Sequence, residues 1–75
     1  MSISIFEFNK CVKYLHDNFS HVKIDDNVTQ YIIGEDFIVT YNRLDYQERD
    51  IYIYYQGESR IDINSYEGLL ALLNR

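Results

Sequence analysis

The chain is 75 residues long, 47% hydrophobic and 16% aromatic, with eight tyrosines and a net charge of -5. That describes a single domain, near the lower size limit for a chain that folds without disulfides or metal, and too apolar to stay disordered. The acidic balance argues against binding a phosphate backbone, which needs lysine and arginine to displace counterions, and better suits a partner with a basic surface.

A single cysteine excludes an internal disulfide and fits a reducing compartment. No apolar run approaches the ~20 residues of a membrane span, and the N-terminus lacks the basic and apolar regions of a signal peptide. A cytoplasmic protein away from the membrane is the expectation.

The N-terminal segment predicts a helix from Ile5 to Asn18. Ser4 can cap it, Glu7 completes a capping box, and Ile3 with Phe8 occupies the two positions of a hydrophobic staple. Ile5, Phe8, Val12, Leu15 and Phe19 then follow a 3-4-3-4 spacing that lines up one apolar stripe. A short strand through Ser2 to Ile5 also alternates, but the helix pattern is the longer.

After Ser20 the period changes to two. His21–Asp25 reads as a half-buried strand, and Asp26-Asn27 as a turn, since these side chains bond nearby backbone and tolerate left-handed geometry. Val28–Ile33 and Phe37–Asn42 are further strands on either side of Gly34-Glu35-Asp36. Asp50–Gln56, alternating β-branched and aromatic residues, carries the clearest strand signal. Gly57-Glu58-Ser59 separates it from a fifth strand, Arg60–Ile63.

Three-residue loops at both Gly-Glu turns would keep isoleucines together, pairing Ile33 with Phe37, Tyr31 with Val39, Tyr55 with Ile61 and Ile53 with Ile63. A middle hairpin turning near Asp45-Tyr46-Gln47 would pair Tyr41 with Ile51 and Val39 with Ile53. The core face would then carry Val22, Ile24, Tyr31, Ile33, Phe37, Val39, Tyr41, Ile51, Ile53, Tyr55, Ile61 and Ile63. Asn64 caps a short last helix with Glu67 as its box partner, packed by Leu69, Leu70, Leu72 and Leu73, and weakened at Gly68 by roughly 0.8–1 kcal/mol relative to alanine. The expected fold is α+β: an N-terminal helix, a five-stranded antiparallel meander and a short C-terminal helix, both helices on one face of the sheet.

Little in the chain suggests chemistry. His16, His21 and Cys11 are too few and too poorly spaced for a zinc site. Cys11 and His16 lie about 140° apart around a helix, and a mid-helix cysteine reads as a small hydrophobe. The carboxylates Asp25, Asp26, Glu35, Asp36, Glu48, Asp50 and Glu58 fall at turns that alternate between the two ends of a meander, so no cleft is implied. The three glycines are isolated, which excludes a phosphate-cradling loop. No catalytic residue, cofactor or metal is expected, and the chain reads as a non-enzyme.

The informative surface is the outer sheet face, expected to carry Ile32, Ile38, Tyr52 and Tyr54 among Lys23, Gln30, Thr40, Asn42, Arg60 and Asp62. Exposed apolar patches rimmed by polar groups mark binding surfaces, and tyrosine is enriched in interface hot spots. The leading expectation is a small acidic protein-binding module. A sharper form is a phage or mobile-element inhibitor whose acidic turns engage the basic groove of a nucleic-acid-processing protein. The alternatives are a homodimer or other homo-oligomer built on the Tyr/Ile face, and a single-stranded nucleic-acid binder that stacks bases on its tyrosines.

Overall fold

The computed structural model describes residues 3–55 and 59–74. Its elements are α1 (Ile5–Asn18), β1 (His21–Asp25), β2 (Val28–Ile33), β3 (Asp36–Arg43), a 3-10 turn (Leu44–Tyr46), β4 (Glu48–Tyr55), β5 (Ser59–Asp62) and α2 (Tyr66–Leu73). The strands form one antiparallel sheet in the order β1-β2-β3-β4-β5, and the fold is α+β.

Helix α1 starts where its sequence says it should. The Ser4 hydroxyl accepts from the Glu7 amide at 3.3 Å, a cap whose loss costs about 1 kcal/mol. Ile3, just before the cap, is buried, and its amide donates to the Arg49 carbonyl of β4 at 3.2 Å. Phe8 and Leu15 of the helix stripe, and Cys11 beside it, are buried with it, Val12 and Phe19 only partly, whereas Ile5 turns outward. Helix α2 begins one residue later than expected. Ser65, not Asn64, is the cap, accepting from the Gly68 amide at 3.0 Å. A Cβ on Gly68 would meet the Ser65 Oγ at 3.1 Å, so the glycine leaves room for its own cap. Tyr14 and Tyr66 join the helices edge to face at 6.0 Å.

The turns decide which side chains meet the helices. Ile33 pairs with Asp36, so the β2–β3 connection is a two-residue turn, not the three-residue loop that hydrophobic matching favoured. Gly34, at φ +61°, takes the first central position, the glycine-first arrangement of a type II′ hairpin. Arg43 pairs with Glu48, leaving four residues in the next connection, with Gln47 left-handed at φ 54°. Both connections are even where odd ones were expected, so the two errors cancel at β4 and remain at β3.

β3 is therefore turned over. Ile38 and Thr40, expected outside, are buried, Ile38 completely. Lys23 and Asn42 lie on the same, helix-facing side by register. Phe37, Val39 and Tyr41, expected in the core, lie on the opposite side. The observed pairs are Tyr31–Ile38, Gln30–Val39, Ile38–Ile53 and Thr40–Ile51.

β1 is turned over as well, by a bulge. Asp25 pairs with Val28 across the tight turn, but between Lys23 and Asp25 the register shifts by one, setting Val22 opposite Gln30. An extra residue in one strand reverses everything beyond it. Val22 and Ile24, expected in the core, are 56% and 58% exposed. At β4–β5, Ile53 pairs with Ile61 and Tyr55 with Ser59, two residues from the expected register but with the same parity. Ile63 is buried and Ile61 packs against the core, as expected. Gln56, Gly57 and Glu58 lie outside the described residues.

The core thus joins Ile3, Phe8, Cys11 and Leu15 to Tyr31, Ile38, Ile51, Ile53, Ile63 and Leu69. The register makes a direct forecast. Ile38→Ala should destabilise the fold by about 2–5 kcal/mol in chemical denaturation, as truncation of a closed core site does. Phe6→Ala, on an exposed helix position, should stay within about 0.5 kcal/mol. A cost at Ile38 as small as that at Phe6 would put Ile38 outside and restore the other register.

Candidate functional site

The two helices cover one side of the sheet, and the other side is left open. Its central row, read across neighbouring strands, is Val22, Gln30, Val39, Tyr52 and Asp62. On one flank Ile32 pairs with Phe37, and on the other Val28 pairs with Tyr41. Side chains directly opposite on one face sit about 4.5–5.5 Å apart at Cβ, so these residues form one continuous surface. Ile32 is 42% exposed and Phe37 40%, while Val28, Val39, Tyr41 and Tyr52 shield one another and are half-buried.

Charge is held at the margins of this face. Arg60, on edge strand β5, lies over the Tyr52 ring at 3.9 Å and donates through Nε to Asp62 at 2.9 Å. Arg43 stands opposite Glu48 in the register and makes a 3.5 Å contact with Asp45. By register Asp25, opposite Val28, and Asp50, opposite Tyr41, share the face. Two arginines against four carboxylates leave a net charge of -2 there, against -5 for the chain. The cation–π stack braces Tyr52, so the tyrosine is presented in a set orientation.

Of the expected surface residues, Ile32 and Tyr52 are on the open face. Ile38 is not: it is a core residue beneath the helices. The backbone of Tyr54 pairs with Phe37 and Arg60. Asp25 and Asp26 lie at one end of the sheet, as do Glu48 and Asp50, while Glu35 and Asp36 lie at the other. Glu58 lies outside the described residues. Four of the six described candidates thus share one end of the sheet, on strands that are not neighbours.

Sequence alternation missed Val22, Ile24, Val28, Phe37, Val39 and Tyr41 as open-face residues. A signal for them was present. Tyr31-Ile32-Ile33 and Phe37-Ile38-Val39 are unbroken apolar runs, which mark strands apolar on both faces.

The helix-covered side offers a second concavity, about 420 Å³, where α1 overhangs β1 and β2. The His16 and His21 rings stack at its rim with centroids 4.3 Å apart, and His21 lies 5.6 Å from the Tyr31 ring. Its floor includes Thr40, whose hydroxyl donates to the Thr29 carbonyl at 3.4 Å. Among the described residues, no group of three or more His, Cys, Asp or Glu is placed to hold a metal ion, and no helix is long and apolar enough to cross a membrane.

Cys11 is fully buried, and burial, with the nearby Glu7 carboxylate adding to it, pushes its thiol up to about 11. A thiol so placed is not a nucleophile at neutral pH. Comparison with protein-family models, with curated proteins and with solved structures finds no match. The site is read from its own chemistry.

The buried thiol sets a pH dependence. The folded state keeps the Cys11 proton above the ordinary 9.0, so the stability tied to it is intact below about pH 9 and is lost as pH rises toward about 11. Burial raises Tyr31 in the same direction. Denaturation midpoints should fall across that window, by at most about 2–3 kcal/mol from Cys11, and Cys11→Ala should shallow the fall. A thiol-reactive dye should label Cys11 slowly in the native protein and quickly after unfolding.

Proposed function

We propose that this chain is a small non-enzymatic protein-binding module that works through the open face of its sheet. The observation that carries the reading is the continuous apolar surface of Val22, Ile32, Phe37, Val39 and Tyr52, which no helix covers. Strands about 4.8 Å apart and rising about 3.3 Å per residue make this face roughly 24 Å by 20 Å, or roughly 500 Å² in projection. A stacked arginine and tyrosine at its margin belong to the residue types that anchor interfaces.

The open face is a better docking surface than the acidic turns. An inhibitor of the kind phages and mobile elements encode would present its carboxylates to a basic groove; here Asp25, Asp26, Glu48 and Asp50 share one end of the sheet, spread from β1 to β4, and Glu35 and Asp36 lie at the other. The free, buried Cys11 is compatible with a cytoplasmic setting. Stacking of single-stranded bases is less well supported, because the face bears two arginines against four carboxylates.

The test is capture from an extract of the source cells with the wild type and with the double variant Ile32→Ser, Tyr52→Ser. Wild type should retain a stoichiometric protein partner, its own chain included, and the variant should lose it while its circular dichroism is unchanged. Retention by the variant would move the working surface to the turns. In the same preparation, an electrophoretic shift assay at low salt should show no complex with single-stranded DNA or RNA at micromolar protein.

A further inference from the structure

We infer that the occupant of the open face is an amphipathic helix of a partner protein, carrying lysine or arginine on both flanks of its apolar stripe. The inference rests on the functional reading above and adds the partner's chemistry.

The first observation is where the apolar residues run. β2 and β3 lie inside the sheet, and their open-face pairs are Ile32 with Phe37, Gln30 with Val39 and Val28 with Tyr41. These pairs follow one another down the strands as a spine two strands wide, apolar except at Gln30. Val28 and Ile32 are four positions apart, about 13 Å along the strand, which about nine residues of helix match. The apolar stripe of one helix is enough to cover such a spine.

The second observation is where the charge sits. Asp25 is opposite Val28 and Asp50 opposite Tyr41, so one row across the face reads Asp25, Val28, Tyr41, Asp50 from β1 to β4. Three strand spacings, about 14 Å, separate the two aspartates at the backbone, and a helix about 10–12 Å across lies between them. Glu48, on the same side of β4 as Asp50, adds a third carboxylate at this end. Arg43 contacts Asp45 and Arg60 contacts Asp62, whereas Asp25, Glu48 and Asp50 form no ion pair among the described residues.

A helix lying along the spine therefore has a carboxylate on each side at one end and only Ile32 and Phe37 beneath it at the other. Lysine or arginine on both flanks answers that arrangement, with alkyl stems over Val28 and Tyr41 and charged heads at the aspartates. Charge complementarity of this kind sets orientation and excludes acidic competitors.

The test is an NMR titration of the isotope-labelled protein with a synthetic helical peptide of about 14 residues, its leucine stripe flanked by lysines, and with the same peptide bearing glutamates. The lysine peptide should shift the amides of Val28, Phe37, Val39 and Tyr41, and the glutamate peptide should not. Asp25→Asn with Asp50→Asn should weaken binding roughly tenfold at low salt. Asp17→Asn with Glu35→Gln, which removes as much charge from α1 and the far end of the sheet, should change it less than about twofold.

Equal losses in the two double variants, or shifts confined to the helices, overturn the inference. Should the asparagine pair fail to fold, a spin label beside the peptide's lysines replaces it. Broadening at Asp25 and Asp50 supports the inference, and broadening confined to other residues overturns it. Open-face shifts on dilution of the protein alone, with none on adding peptide, give the face to a second copy and overturn it. No binding of either peptide overturns the helix but leaves the protein-binding reading to its own capture experiment.

Discussion

The parity of the connections governs this molecule. In a meander each strand inherits its facing from the turn before it, because side chains alternate with a period of two. Two even connections, at Gly34-Glu35 and from Leu44 to Gln47, bring Ile38 and Thr40 under the helices beside Ile51 and Ile53. One bulge in β1 then sends Val22 and Ile24 the other way. Three local backbone features, of which Gly34 and Gln47 both adopt positive φ, decide which half of the apolar residues becomes core.

This choice runs against simple hydrophobic matching. On β3 the set Phe37, Val39 and Tyr41 is more apolar than Ile38, Thr40 and Asn42, yet the second set faces the helices. The compensation is size and polarity under a limited roof. α1 and α2 together cover the Ile38, Ile51 and Ile53 region, where Leu15 and Leu69 are fully buried. Toward β1 and β2 the helix-facing side is partly open and lined by Thr29, Thr40 and the two histidines, a surface that water can wet. The bulky apolar set goes to the side with no roof of its own.

Much of this was legible in the residues. The bounds of α1, β1 and β2 follow from capping and alternation, and so do the meander order and the place of β4 inside the sheet. Ile32 and Tyr52 could be assigned outward because Tyr31, Ile51 and Ile53 were rightly set inward. What could not be read was the count of residues in each turn. Gly34-Glu35-Asp36 accommodates either a two- or a three-residue connection, and the neighbouring apolar runs offer a good partner in both registers. Alternation cannot choose where both faces are apolar. The same ambiguity hid the extent of the open face, because Val22, Ile24, Phe37, Val39 and Tyr41 had been assigned to the core.

The bulge between Lys23 and Asp25 has a further consequence, for aggregation. An exposed apolar sheet with straight edges is a template for adding strands end over end into fibres. Here the β1 edge is kinked out of register and carries Lys23 and Asp25, and the β5 edge is a short strand bearing Arg60 and Asp62. Neither edge offers a long, flat ladder of free amides and carbonyls. The uncovered hydrophobic surface faces sideways, across the sheet, and not along the direction in which a sheet would grow.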